Sequence, residues 1–172
     1  MTAGPPIVVL VGPPGAGKST VADELARRWQ VDVRDTDRDI EAASGDTVQA
    51  MFVDHGEQHF RSLEEQAVAT ALAEHAGVLA LGGGAVLSDA TRALLTDHRV
   101  VFLDVGLSAA AARVGLGAGR PLLLGNVRSQ LKSLMDARRP LYTEVATHVV
   151  VTDELDAAQV ADRVAELIAD AA

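Results

Sequence analysis

Among the 172 residues there is no cysteine. This absence removes disulfides, thiolate zinc sites and a cysteine nucleophile together, so any chemistry must rest on oxygen, nitrogen or a bound ion. It also agrees with a reducing compartment. Long apolar runs are missing as well: 48% of residues are hydrophobic, yet no run approaches the roughly 20 residues that a membrane helix needs, and no membrane association is expected. Met1 to Pro6 holds no basic stretch followed by an apolar segment and a small-residue cleavage site, so no secretion signal is read and a cytoplasmic location is expected. Positive charge is scarce: 15 Lys and Arg against 24 Asp and Glu leave a net charge of −9, the reverse of what coating nucleic acid demands. Lys18 and Lys132 are the two lysines. The other basic residues are arginines, whose planar fork suits carboxylate and phosphate. A high-GC genome gives the same bias, so each arginine must be argued singly.

The length fits one domain over 1–172 with one substantial core, expected as a monomer. Strand-like and helix-like stretches alternate along it without repeats or low-complexity linkers, which is an α/β pattern. Ile7 to Val11 reads as a buried parallel strand, followed by a Gly-rich turn and an amphipathic helix to Trp29. Further strands are expected at Val31 to Arg34, Val78 to Leu81, Val100 to Leu103 and Val149 to Val151. Helices are expected at Asp37 to Ala43, Thr47 to Asp54, Glu57 to His75, from Ser88-Asp89 to about Thr96, and from Asp156 to Ala171. Ser108 is read as the cap of a helix through Arg113. Residues 115 to 127 read as a loop, after which helix resumes to Arg139 and again beyond Pro140. Five parallel strands covered on both faces is the simplest assembly.

Gly12-Pro13-Pro14-Gly15-Ala16-Gly17-Lys18-Ser19 fits the pattern G-x-x-x-x-G-K-[ST]. Its glycines let a loop wrap a triphosphate with successive N–H groups pointing inward, at a helix N-terminus whose dipole favours negative charge. A chance match in a chain of this composition is on the order of one in a thousand, and both the strand before and the helix behind are present. Gly15, Ala16, Gly17, Lys18, Ser19 and Thr20 are therefore the expected nucleotide-binding residues, with Lys18 reaching the β- and γ-phosphates and Ser19 ligating Mg²⁺. ATP and Mg²⁺ are the cofactors this implies.

Asp35-Thr36-Asp37 follows the second expected strand. In open α/β sheets ligands gather at the carboxyl ends of strands, and a spacing of two lets both carboxylates point along one side of an extended segment. One could hold magnesium waters and the other a substrate hydroxyl. Helix capping accounts for the same residues equally well. Gly82-Gly83-Gly84 ends the third strand, where backbone without side chains permits a ligand to come close; a flexible turn is the alternative. Residues 114–126 carry Gly115, Gly117, Gly119 and Gly125 around Arg120, a composition suited to a lid that excludes water and brings one positive charge to a transferring phosphoryl group.

Taken in order, D-T-D at 35–37, F-R at Phe60-Arg61, G-G-G at 82–84, R-P-L-L at 120–123 and R-R-P-L-Y at 138–142 resemble the shikimate kinases, and the resemblance spans Ile7 to about Val151. It implies a three-layer P-loop fold with a five-stranded parallel sheet, a helical substrate-binding segment near 36–64 and a lid near 114–126. It implies transfer of the γ-phosphoryl group of ATP to the 3-hydroxyl of shikimate, giving shikimate 3-phosphate and ADP on the route to chorismate and the aromatic amino acids. By this resemblance Asp35 stands beside Mg²⁺ through water, and Asp37 accepts a hydrogen bond from the 3-hydroxyl. Arg61 and Arg138 hold the shikimate carboxylate, and Gly82, Gly83 and Gly84 line the acceptor pocket. Arg113 stacks on adenine, and Lys18, Asp37 and Arg120 are the catalytic residues. Glu64, three residues from Arg61, could orient it.

Two other readings share some of these features. A gluconate-type kinase would carry the P-loop and lid without needing the D-T-D, G-G-G and double-arginine set together. A non-catalytic ATP-binding module would not need a hydroxyl-facing carboxylate and an anion pocket. His55 and His59, four apart, could share a helical face, but they do not fit H-E-x-x-H and are expected as solvated helix-end residues. Trp29, Met51 and Phe52 are read as core or pocket wall.

Overall fold

The structure, a computed structural model, describes residues 3–115 and 127–170. Strand β1, Val8–Val11, is apolar at every position because the sheet is covered on both faces. Its side chains alternate between two cores: Val8 and Leu10 enter one cluster, while Val9 and Val11 enter the other. The same alternation holds in β3, Val78–Ala80, and β4, Val100–Asp104, where Val101 and Leu103 face the first cluster and Val100 and Phe102 the second. With β2, Val33–Asp35, and β5, His148–Val151, the strands form one parallel sheet in the order β2-β3-β1-β4-β5. The α/β expectation holds, with five parallel strands in register and helices on both faces.

The central place of β1 matters for the site. Its neighbours are β3 on one side and β4 on the other, so consecutive crossovers leave in opposite directions and open a crevice at its carboxyl end. Helix α1, Lys18–Trp29, starts there behind Gly17, which holds φ 86 at the N-cap position. That left-handed backbone suits glycine.

Helices α2, Thr36–Ser44, α3, Val48–His55, and α4, Glu57–Glu74, follow β2. They share a small third core of Ile40, Met51 and Phe60, with Phe52 stacked 4.9 Å from the Phe60 ring. After β3 a single 3-10 turn, Ala85–Leu87, leads to α5, Asp89–Leu95, capped by Ser88, whose hydroxyl accepts the Thr91 N–H at 3.1 Å. Helices α6, Leu107–Gly115, and α7, Val127–Val145, flank the undescribed residues 116–126. Helix α8, Ala157–Asp170, opens on a reciprocal cap: Asp156 accepts the Gln159 N–H at 2.8 Å, and Gln159 accepts the Asp156 N–H at 2.9 Å.

Three expectations need correction. The second strand begins at Val33, because Gln30 adopts φ 54 and Val31 N–H returns to the Ala26 carbonyl, so these residues close α1 instead of extending. Ser108 lies inside α6, where its hydroxyl accepts from Arg128; the carboxylate of Asp153 takes the Gly106 N–H just ahead of that helix. Pro140 does not divide α7, which runs through it. The helix is held by its packing into both cores, Leu131 and Met135 into the first, Tyr142 and Val145 into the second. Arg138 and Arg139 are therefore mid-helix residues and not a helix end.

Candidate active site

Lys18 bends back over its own loop, donating to the Gly12 carbonyl at 2.7 Å and the Pro13 carbonyl at 3.1 Å. Desolvation there lowers its pKa to about 8; Asp37 and Asp35 pull it up, and Arg138 adds to the lowering. The loop borders a cavity of about 490 Å³ whose lining includes Gly15, Gly17, Lys18, Ser19, Thr20, Asp35, Asp37, Gly82, Gly83 and Arg113. Its volume is of the size that small-ligand sites occupy. Ala16 sits behind, 2% exposed, its N–H on the Pro13 carbonyl at 3.1 Å. Of the residues expected for the nucleotide, Gly15, Gly17, Lys18, Ser19, Thr20 and Arg113 line this one cavity.

Asp35 is a helix cap whose carboxylate also meets Ser19. Its Oδ1 caps α2, accepting the N–H of Asp37 at 2.9 Å and of Arg38 at 3.3 Å, while Oδ2 accepts the Ser19 hydroxyl at 2.9 Å. A hydroxyl and a carboxylate so close form a hard oxygen pair of the kind magnesium takes. Asp37 does not continue an extended segment as expected: Asp35 ends β2 and Asp37 is in the first turn of α2. Thr36 between them points the other way and is fully buried, its hydroxyl accepting the Gly82 N–H at 3.2 Å. That bond joins the D-T-D corner to the glycine loop.

Asp37 Oδ1 is buried without a hydrogen-bond partner among the described residues. Burial, then the nearby charges of Glu64 and Asp35, push its pKa up to about 6, against the opposing pull of Lys18. A Cβ at Gly82 would displace the Asp37 carboxylate, and one at Gly84 would displace the Arg61 guanidinium. Arg61 donates to Glu64 at 2.6 Å and to Glu57 at 3.3 Å. Glu64 is 3% exposed, and desolvation raises its pKa although Arg61 opposes this. Arg61 and Glu64 border a second cavity, of about 600 Å³ beside Ala85 and Leu87, and not the one along the P-loop. A Cβ built at Gly83 would lie 3.3 Å from Pro14 Cδ and 3.6 Å from Arg138 Nη1. Gly83 is thus where the P-loop, the acceptor glycines and α7 meet.

Arg113 donates to the Gly15 carbonyl at 2.9 Å and to the Thr152 carbonyl at 3.1 Å, which puts it on the far flank of the P-loop from Asp37. Arg120 lies outside the described residues. Arg139 leaves the pocket and pairs with Asp104 at 2.7 Å. His55 ends α3 and His59 belongs to α4, so they share no helical face, and among the described residues no group of three metal-ligating side chains forms. Nor is any described helix long and apolar enough to cross a membrane. Two contacts had no role in the sequence reading: Thr36 on Gly82 and Tyr142, whose hydroxyl donates to the Gly83 carbonyl at 2.6 Å. Thr36 was findable as the middle residue of a corner whose flanking residues face a ligand. Tyr142 had no local signal, since its partner is 59 residues away.

The chain matches a known group along most of its length. A family model described as shikimate kinase covers residues 14–169. A shikimate kinase of Frankia casuarinae is 59% identical over 165 residues, 96% of this chain and 72% of that one. A shikimate kinase of Salinispora arenicola is 57% identical over 164 residues, 95% of this chain and 98% of that one. The solved shikimate kinase of Acinetobacter baumannii, in complex with shikimate, superposes with a TM-score of 0.90 at 34% identity, covering 98% of this chain and 94% of that one. The chain belongs to the shikimate kinase family.

Proposed function

We propose that this pocket phosphorylates the 3-hydroxyl of shikimate with ATP, releasing shikimate 3-phosphate and ADP for aromatic biosynthesis. The observation that carries the reading is Gly83, against which the phosphate-binding loop and Arg138 both pack, with Asp37 and Arg61 against the glycines on either side.

Gly15 to Thr20 receive the phosphates on backbone N–H groups at the start of α1, and Lys18 exchanges its two carbonyl partners for phosphate oxygens. Ser19 and Asp35 would hold Mg²⁺, which when bound neutralises charge on the β- and γ-phosphates. Arg61 and Arg138 bind the acceptor's carboxylate, since two guanidinium groups select a planar anion over a neutral polyol. Asp37 accepts the hydrogen bond of the 3-hydroxyl, orienting its oxygen toward the γ-phosphorus. As that O–P bond forms, the bond from phosphorus to the β,γ-bridging oxygen breaks, and the hydroxyl proton passes to Asp37. Arg113 borders the site of the base. From the sequence, Arg120 in the lid at 114–126 brings the last positive charge to the transferring group. A monomeric cytoplasmic enzyme with a small-molecule acceptor accompanies this reading, and the net charge of −9 favours such an acceptor over nucleic acid.

The experiment is ADP release from Mg²⁺-ATP by the purified protein with shikimate, with gluconate and with neither. Release that depends on shikimate and on Mg²⁺ is expected. Equal release with gluconate would point to the broader polyol kinase, and none with either would leave a binding module.

A further inference from the structure

Tyr142 is a large polar side chain in the second core, 1% exposed, its ring tilted against Phe102 of β4 with centroids 5.0 Å apart. Nothing in that apolar cluster requires a hydroxyl, yet the hydroxyl reaches the Gly83 carbonyl at 2.6 Å. Burial raises its pKa, so it stays a donor at neutral pH. A trans peptide is planar, so holding the Gly83 carbonyl toward Tyr142 turns the N–H of Gly84, in the same peptide, the opposite way. Gly84 is also the residue against which the Arg61 guanidinium lies. Among the described residues neither the Gly83 nor the Gly84 N–H has an acceptor. The peptide is held from the far end too: Arg92 donates to the Val86 carbonyl at 2.7 Å and to Glu144 of α7 at 3.0 Å, tying the turn after the glycines to the helix that carries Tyr142 and Arg138.

We infer that Tyr142 is a positioning residue for the acceptor: its hydroxyl locks the Gly83–Gly84 peptide so that the Gly84 N–H is presented to an oxygen of the bound anion, and it fixes that peptide relative to Arg138 on the same helix. Flexible glycines can form a directional donor only if something outside them sets their plane. Tyr142 lies four residues, about one helical turn, beyond Arg138, so the guanidinium and the peptide it complements are registered by one element. This rests on the proposed reaction.

The test is Tyr142→Phe, which keeps the ring against Phe102 and removes the donor, alongside Phe102→Leu, which loosens the same packing and keeps the hydroxyl. Steady-state kinetics well below each melting temperature should show KM for shikimate raised about five- to tenfold in Tyr142→Phe, a conversion of the roughly 1 kcal/mol of an intramolecular hydrogen bond. Its KM for ATP should stay within twofold and its kcat within threefold. Phe102→Leu should lower the melting temperature and leave both KM values within twofold. The inference fails if Tyr142→Phe leaves KM for shikimate within twofold, or if Phe102→Leu raises it as much, since loosening alone would then suffice. A wild-type protein without shikimate-dependent ADP release would instead sink the reaction itself.

Discussion

The two sides of the crevice are built on different plans. The side proposed for the nucleotide is one contiguous stretch, Gly12 to Thr20, in which Lys18 and the Ala16 N–H bond back to the loop itself while Ser19 reaches Asp35 and Gly15 takes Arg113. The side proposed for the acceptor is collected from the corner after β2, from α4, from the loop after β3 and from α7, with charges that are buried at Glu64 and half-buried at Asp37, Arg61 and Arg138. The first is specified locally and is satisfied as it stands. The second exists only when three layers pack, and among the described residues it keeps an unpartnered oxygen on Asp37 and, on Glu64, a carboxyl whose pKa burial raises against the pull of Arg61.

Removing Lys18 should give the largest effect. Lys18→Ala takes away the charge that meets the β- and γ-phosphates and should lower kcat by about a thousandfold or more. Because its bonds stay inside the loop, the melting temperature should shift little. A turnover within tenfold of wild type, or a collapsed fold, would break the distinction between a self-contained nucleotide side and an interdependent acceptor side.

Asp37→Asn comes next, with opposite signs on activity and stability. The hydroxyl acceptor is lost, so kcat should fall about a hundred- to a thousandfold. A carboxyl whose folded pKa is about 6 binds its proton more tightly in the folded than in the unfolded state. Its ionisation therefore weakens the fold as pH rises from about 4 through about 6, and the amide should be more stable at neutral pH by about 1–3 kcal/mol, several degrees in melting temperature. In the wild type, kcat/KM should climb through about pH 6 as Asp37 ionises and fall above about pH 8 as Lys18 loses its proton. A variant no more stable than wild type, or a profile flat from pH 5 to 7, would remove the case for a strained acceptor side.

Legibility in the sequence follows the same division. The P-loop could be read from eight adjacent letters because its geometry is a property of those letters. The central strands β1, β3 and β4 were equally plain, since alternation between two cores forces uninterrupted apolar runs, whereas the edge strand β2, Val33–Asp35, has no such run and was misplaced. Asp35 was legible as a cap but not as a partner of Ser19, because its two oxygens serve partners far apart in sequence, one on the start of α2 and one on the Ser19 hydroxyl. Arg61 and Arg138 had no local reason to meet, and their pairing came from the ordered motifs of a family. Pro140 misled because chain-local rules forbid it mid-helix, whereas the packing of Leu131, Met135, Tyr142 and Val145 overrides them. Tyr142 was invisible for the complementary reason: an apolar period hides a hydroxyl that acts across 59 residues.

The smallest effect separates two neighbours. Arg138 and Arg139 stand about 100° apart on α7, one beside Gly83 in the pocket, the other on Asp104 at the end of β4. Arg138→Ala removes one of two guanidinium groups from a desolvated carboxylate and should raise KM for shikimate about 10- to 100-fold, with a lesser change in kcat. Arg139→Ala breaks an ion pair whose arginine is 46% exposed, an interaction of about 1 kcal/mol or less, so KM should move less than threefold. The two variants differ by one position yet test different claims: equal effects on KM would mean that α7 acts as a charged surface, and the pocket would lose its second clamp.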